Sequence, residues 1–195
     1  MPDLPWPLPD RVDLRDSLLS TYAARRGYHD LQHLREVLER IDALGGADEA
    51  DLVLAAWFHD AVYDGDRDDE ERSAVLAETS LSGTDADVAT VVRLVRLTAT
   101  HSPQPGDRLG EILCDADLGI LAAPPERYRA YAEGVRADYA HIDDASFVEG
   151  RIAVLQDLLA RESLFHTDDA RAHWDAPARA NLTAEIESLT AALVS

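Results

Sequence analysis

The sequence predicts an all-α, single-domain helical bundle, and three observations favour this fold class. Apolar residues recur at the three- and four-residue spacing of one helical face, whereas the alternating pattern of β-strands is almost absent. The chain has 195 residues, of which 46% are hydrophobic and 29% charged, so it is long enough and apolar enough to bury a substantial core. No repeat, low-complexity tract or linker divides it, and residues 10–195 are therefore expected to form one domain.

The N-terminal third is predicted to contain an arm and two helices. Four prolines in residues 1–9 favour an extended arm, after which Asp10 can cap a helix that runs to about residue 26. A second helix is predicted over 29–44, because its apolar side chains share one face, and the glycines at 45–46 end it.

The middle of the chain is predicted to be buried at its centre. Residues 52–58 are apolar on every side, which favours a central helix that starts near Asp48 and leads directly into a His-Asp pair. A helix over 70–81 follows, and Thr84 with Asp87 forms a capping pair for the next one, which runs to about residue 100.

The last part of the chain is predicted to contain four more helices. A turn-rich segment precedes a helix over 109–121, and the prolines at 124–125 open a helix that runs to about residue 139. Asp144 is a candidate cap for a helix to about residue 161, and Pro177 is expected in the first turn of the last helix.

The charge of the chain excludes several classes of partner. The 38 acidic residues outnumber the 18 basic ones, all of them arginine, and give a formal net charge of −20, which disfavours nucleic-acid polymers and anionic membranes. The single cysteine, Cys114, excludes an internal disulfide and a cysteine-rich zinc site. The N-terminus lacks a signal-peptide pattern, and no stretch approaches about 20 apolar residues, so a cytoplasmic protein is expected.

Two groups of polar residues lie within apolar patterns. His29 and His33 are four residues apart and are expected one turn apart on one helical face, as ligands of one site or as ordinary core or surface histidines. His59 and Asp60 end a wholly apolar segment, where burial is costly unless the groups are paired or bind a cation. An imidazole nitrogen and a carboxylate oxygen suit Mn, Fe, Zn or Mg to different degrees, although Asp60 could also cap a helix or pair with an arginine.

Two carboxylates interrupt a later apolar run. Asp117 lies three and four residues before Ile120 and Leu121, so helical periodicity turns it inward with them. Asp115 is then expected to support that site or to cap a helix.

Together these motifs resemble the HD superfamily of metal-dependent phosphohydrolases. The matching segments are YHDLQHL at 28–34, WFHDAVYD at 57–64 and DADL at 115–118. The chain is most similar to the short bacterial proteins of that superfamily, which share an acidic motif present here as EERSA at 70–74. The resemblance extends over about residues 15–190 and implies an HD-type helical bundle.

The resemblance also implies roles for single residues. The implied ligands of a first metal ion are His33, His59, Asp60 and Asp117. His29 stands where the cyclic-nucleotide phosphodiesterases have a histidine that protonates the leaving oxygen. Asp30 replaces the asparagine of that motif, and the other signatures are missing, so the cyclic-nucleotide substrate is not implied.

Two further residues are candidates by their position. Glu70 is placed like a carboxylate that orients water in related nucleotidases. His101 is comparable with an extra histidine that binds a second metal ion or phosphate in some HD proteins, although a helix C-terminus also favours an imidazolium on its own.

The expected function is hydrolysis of a phosphate ester, such as a nucleotide or another small phosphorylated metabolite. The cofactor is a divalent ion, with Mn, Fe, Mg, Zn, Co and Ni left undistinguished. Candidate phosphate-binding arginines are Arg25, Arg26, Arg151 and Arg179. Two alternatives stay open, an HD-type di-iron oxygenase and a non-catalytic metal-containing binding module. A homo-oligomer is compatible with exposed helix faces.

Overall fold

Helices form all the regular structure in residues 4–65 and 68–194, which the computed structural model describes. They are α1 (Val12–Ala24), α2 (Leu31–Ala43), α3 (Ala50–Phe58), α4 (Asp69–Leu81), α5 (Val88–Leu97), α6 (Arg108–Leu118), a 3-10 helix (Gly119–Ala122), α7 (Pro125–Asp138), α8 (Asp144–Ala160) and α9 (Asp168–Val194). The predicted all-α class is confirmed. None of these helices is long and apolar enough to cross a bilayer.

The core consists of two clusters of buried side chains. The larger cluster joins α1 to α6, and its centre is α3, in which residues 52–58 are all buried as the sequence predicts. The smaller cluster joins the 3-10 helix with α7, α8 and α9, and it includes Tyr28 from the segment before α2. The His-Asp pair and α6 therefore lie close to the junction of the two clusters.

Residues 4–9 lie against the larger cluster, whereas residues 1–3 of the predicted arm fall outside the described residues. The indole N–H of Trp57 donates to the carbonyl of Pro5 at 2.8 Å, and the Trp6 ring meets the Trp57 ring edge-on with 5.1 Å between centroids. These contacts anchor the segment that precedes α1 to the central helix.

Two predicted helix caps are wrong, and of the predicted Thr84–Asp87 pair only Asp87 caps its helix. Asp10 lies before α1, which begins without a side-chain cap. The capping carboxylates are Asp87 for α5 and Asp143 for α8, each of which accepts from the backbone N–H three residues on. Asp144 is the first residue of α8, and the Thr84 hydroxyl donates to a carbonyl of α4 at 2.7 Å, so neither side chain is the cap.

The last helix begins nine residues earlier than predicted. Pro177 lies inside α9, where its ring removes one helical hydrogen bond. The helix starts instead after Thr167, whose hydroxyl accepts from the N–H of Ala170 at 3.2 Å. It continues past the proline because Ala178 and Leu182 are buried in the smaller cluster.

The predicted helix over 109–121 is two elements. α6 ends at Leu118, and the chain tightens into the 3-10 helix at Gly119. A Cβ atom at Gly119 would meet the Arg40 side chain, so the absence of a side chain permits the close approach of α2 at this point.

Candidate metal centre

The first candidate ligand, His33, lies in the first turn of α2. Asp30 caps this helix: its Oδ1 accepts from the backbone N–H groups of Gln32 at 2.8 Å and His33 at 3.2 Å. The helix therefore starts at Leu31 and not at residue 29 as predicted. His33 is fully buried and points into the interior.

His59 and Asp60 follow the buried helix α3 directly. The Nδ1 of His59 lies 2.7 Å from the carbonyl oxygen of Ala56, and because a carbonyl can only accept, Nδ1 carries the hydrogen. The Nε2 of His59 is then free to face the interior. Arg25 holds the same turn, since its guanidinium donates to the carbonyls of Asp60 at 2.6 Å and Ala61 at 3.0 Å.

The atoms of these three side chains meet at one point. The two Nε2 atoms of His33 and His59 are 3.0 Å apart, and Asp60 Oδ2 lies 3.1 Å from each. Ligand atoms placed about 2.1 Å from one ion at tetrahedral or octahedral angles are separated by about 3.0 to 3.4 Å. The buried His33–His59–Asp60 group could therefore hold a metal ion.

Asp117 lies beside this group. Its Oδ1 is 3.3 Å from Nε2 of His33 and 3.7 Å from Nε2 of His59. Asp115, which is fully buried, turns away and accepts backbone N–H groups at the start of α9. The structure thus brings the four predicted ligands together and places Asp117, rather than Asp115, at the cluster.

The charges in this cluster oppose the effect of burial. Burial lowers the pKa of His59, but the negative charges of Asp60 and Asp117 outweigh it and raise that pKa to about 9. In His33, burial is likewise outweighed by the two carboxylates, so its pKa is raised. Burial raises the pKa values of Asp60 and Asp117, but the histidines hold both well below the usual range.

Three buried polar atoms at this cluster have no hydrogen-bond partner in the described part of the chain. They are Asp60 Oδ2, Nδ1 of His33 and the hydroxyl of Tyr28, whose ring lies 4.5 Å from that of His33. The imidazole nitrogens approach Asp60 Oδ2 closely, but not at hydrogen-bonding angles. An unpartnered carboxylate oxygen at ligand distance from two imidazoles fits a bound cation.

His29 does not lie on α2 as predicted but in the segment that precedes it. Its ring centroid is still 5.6 Å from that of His33, and it stacks on Tyr63 at 3.7 Å. Its Nδ1 lies 2.8 Å from Oδ2 of Asp138, which also accepts from the N–H of Tyr28 at 3.0 Å. An aspartate at the end of α7 therefore fixes the orientation of the His29 ring.

Asp138 is a residue of the site that sequence reasoning missed. It is 109 residues away from His29 along the chain, and no motif marks it. The one local signal is Gly27, because a Cβ atom there would overlap the Asp138 carboxylate.

Glu70 lies in the first turn of α4, outside the metal cluster. It is half-buried, and burial together with the negative charge of Asp60 raises its pKa. His101 follows α5, and its Nε2 lies 2.8 Å from Oδ2 of Asp117. Both predicted residues therefore lie near the candidate ligands, but neither belongs to the group formed by His33, His59 and Asp60.

All four candidate arginines make hydrogen bonds or ion pairs within the protein. Arg25 and Arg26 donate to backbone carbonyls, Arg151 forms a buried ion pair with Glu185 at 2.8 Å, and Arg179 pairs with Asp175 at 2.6 Å. A groove of about 930 Å³ lies between α7, α8 and α9 and is not lined by any of the predicted site residues.

Comparison with known proteins identifies no relative of this chain. The resemblance to the HD superfamily therefore rests on the sequence motifs, and the case for a metal centre rests on the distances and burial given above. No family model, no curated protein and no solved structure matches this chain.

Proposed function

We propose that this protein is a metal-dependent phosphohydrolase that acts on a phosphate ester, such as a nucleotide or another small phosphorylated metabolite. One observation carries the proposal: the ligand atoms of His33, His59 and Asp60 lie within 4.8 Å of one another in a buried site. Asp117 adds a second carboxylate at its edge. Two imidazoles with one or two carboxylates suit Mn, Fe, Co, Ni or Zn.

A divalent ion held by these residues would supply Lewis-acid chemistry, polarising a phosphoryl oxygen and lowering the pKa of water. The chain presents its donors in the form that this requires. His59 keeps its hydrogen on Nδ1, against the Ala56 carbonyl, so that Nε2 is the ligand atom. The ion pairs with the two carboxylates hold that Nε2 in place before an ion arrives.

The His29–Asp138 pair is suited to proton transfer. Asp138 lies 2.8 Å from Nδ1 of His29 and engages that nitrogen, so Nε2 is the ring nitrogen through which a proton could pass to the departing alkoxide. The carboxylate and the stacked Tyr63 ring together restrict rotation of the imidazole. Glu70, with its raised pKa, is available to orient the attacking water.

The same geometry bears on the two alternatives. A di-iron oxygenase needs ligands for a second ion, but in residues 4–65 and 68–194 a single group of three such side chains comes together, and His101 uses its Nε2 to bind Asp117. A non-catalytic binding module has no need for the His29–Asp138 pair beside the ion, so this pair favours an enzyme.

The test is a phosphatase and phosphodiesterase screen with Mn²⁺, Mg²⁺, Co²⁺ or Ni²⁺ supplied in turn. We expect turnover that depends on the divalent ion and falls at least about 100-fold in His59→Ala and Asp60→Asn. His173→Ala is the matched control, because His173 is exposed on α9 and bonds only within its own helix, to the carbonyl of Asp169.

Circular dichroism of each variant separates loss of function from loss of fold. Full activity in both His59→Ala and Asp60→Asn contradicts the proposal. A protein that binds the ion but hydrolyses no substrate in the screen is a binding module. Iron at two ions per chain with oxygen consumption identifies the oxygenase.

A further inference from the structure

The loop that carries His101 is strained. Among the described residues, His101 is the one non-glycine residue with a positive φ, at 49°. This left-handed conformation is unfavourable for a residue with a Cβ atom. Its own N–H donates to the carbonyl of Leu97 at 3.0 Å, so the loop closes tightly on the end of α5. Such strain persists where surrounding contacts impose it.

One contact with this loop comes from His166, which lies just before α9. The Nε2 of His166 lies 3.1 Å from the carbonyl oxygen of His101, and because a carbonyl only accepts, the imidazole is the donor. His166 is itself held by Asp115, whose Oδ1 accepts its backbone N–H at 2.8 Å. The other oxygen of Asp115 accepts from Thr167 at 2.7 Å.

The strained residue in turn contacts the candidate metal centre. Nε2 of His101 lies 2.8 Å from Oδ2 of Asp117, where the imidazole donates to the carboxylate. The other oxygen, Oδ1, lies toward His33 and His59. A series of hydrogen bonds thus runs from the segment before α9 through the His101 loop to a candidate ligand.

We propose that His166, acting through His101, is a positioning residue that orients the carboxylate of Asp117 and so sets the affinity of the site for a divalent ion. This inference rests on the proposed metal-dependent function. It gives His101 the role of a hydrogen-bond donor to a ligand, not that of a ligand to a second ion. Partners of this kind typically change metal affinity by about 10- to 100-fold.

The test measures the dissociation constant of Mn²⁺ by competition with a chromophoric chelator, using the full-length protein. His166→Phe keeps a flat ring but removes the donor, and we expect it to weaken Mn²⁺ binding about tenfold or more. His166→Gln restores an N–H donor and is expected to recover most of that affinity. The matched control is His173→Phe, the same substitution on the helix that follows His166, where the side chain has no link to the site.

A double-mutant cycle tests the route through His101. Asn tolerates a positive φ, so His101→Asn keeps the loop conformation while its short side chain cannot reach Asp117. We expect His101→Asn to weaken Mn²⁺ binding by as much as His166→Phe or more, and the double variant to bind no more weakly than His101→Asn. The visible spectrum of the Co²⁺-loaded protein, which reports ligand geometry, should change in both single variants.

The outcomes separate this inference from the proposed function. Wild-type affinity in a folded His166→Phe variant overturns the positioning role and leaves the metal centre intact. Losses that add in the double variant show that His166 does not act through His101. If the wild-type protein binds no divalent ion, both the inference and the proposed function are overturned.

Discussion

Protons compete with a metal ion for the imidazole nitrogens of this site, so metal binding depends strongly on pH. The charges of Asp60 and Asp117 outweigh burial and raise the pKa of His59 to about 9. The same carboxylates raise the pKa of His33, whose Nε2 lies 3.0 Å from that of His59. An ion binds the neutral imidazole and must displace the proton of His59.

The size of the effect follows from that pKa. At pH 7 a group with a pKa of about 9 is about 99% protonated. The affinity for a divalent ion is therefore about 100-fold weaker at pH 7 than above pH 9, and it changes about tenfold per unit between pH 7 and pH 9. The rise from 6.5 to about 9 also stabilises the metal-free fold by about 3 kcal/mol. This contribution is fully present below pH 6.5 and is lost as the pH rises through 9.

The assay is Mn²⁺ binding by chelator competition at each half unit of pH from 6.5 to 9, beside thermal unfolding of metal-free and metal-loaded protein. We expect the affinity to rise with pH, while the midpoint of unfolding of the metal-free protein falls. The metal-loaded protein should gain stability over the same range. An affinity that does not change with pH, once the protonation of the chelator is corrected for, refutes the reasoning.

Three substitutions test other parts of the structure. Asp138→Asn removes the carboxylate that holds His29, so we expect kcat to fall about 100-fold with Mn²⁺ affinity unchanged, and equal losses in both would contradict the role. Arg25→Lys cannot reproduce the fork of donors to three backbone carbonyls, and denaturant unfolding should show a loss of about 1–2 kcal/mol together with weaker Mn²⁺ binding. Trp6→Ala removes the edge-on contact with Trp57 and should cost about 2 kcal/mol in the same unfolding assay, whereas unchanged stability would show that the arm contributes nothing.

The parts of the site that could be predicted are those that a local pattern fixes. The apolar run of α3 predicts a buried helix, and the costly burial of His59 and Asp60 at its end indicates a site. Helical periodicity also indicates that Asp117 faces inward with the apolar residues that follow it, although Asp115 is buried as well and turns toward the segment before α9. Each of these predictions depends only on residues that lie within a few helical turns of one another.

The parts that could not be predicted depend on contacts between distant segments. The sequence predicts that the second helix starts at His29, but Asp30 caps it and it starts at Leu31. His29 therefore lies outside the helix, and Asp138 on α7 orients its ring. The link from His166 to His101 joins residues 65 apart, and neither periodicity nor capping pairs them. Arg25 is a further example, because its position near the motifs makes it a candidate for binding phosphate, whereas its guanidinium donates to backbone carbonyls.

The central claim is that four side chains hold one divalent ion, and a crystal structure of the Mn²⁺-loaded protein with anomalous scattering tests it most directly. We predict one strong anomalous peak per chain. It should lie about 2.0–2.3 Å from the Nε2 atoms of His33 and His59 and from one carboxylate oxygen each of Asp60 and Asp117. No peak among these residues in crystals grown with saturating Mn²⁺, or a peak bound elsewhere on the chain, would contradict it.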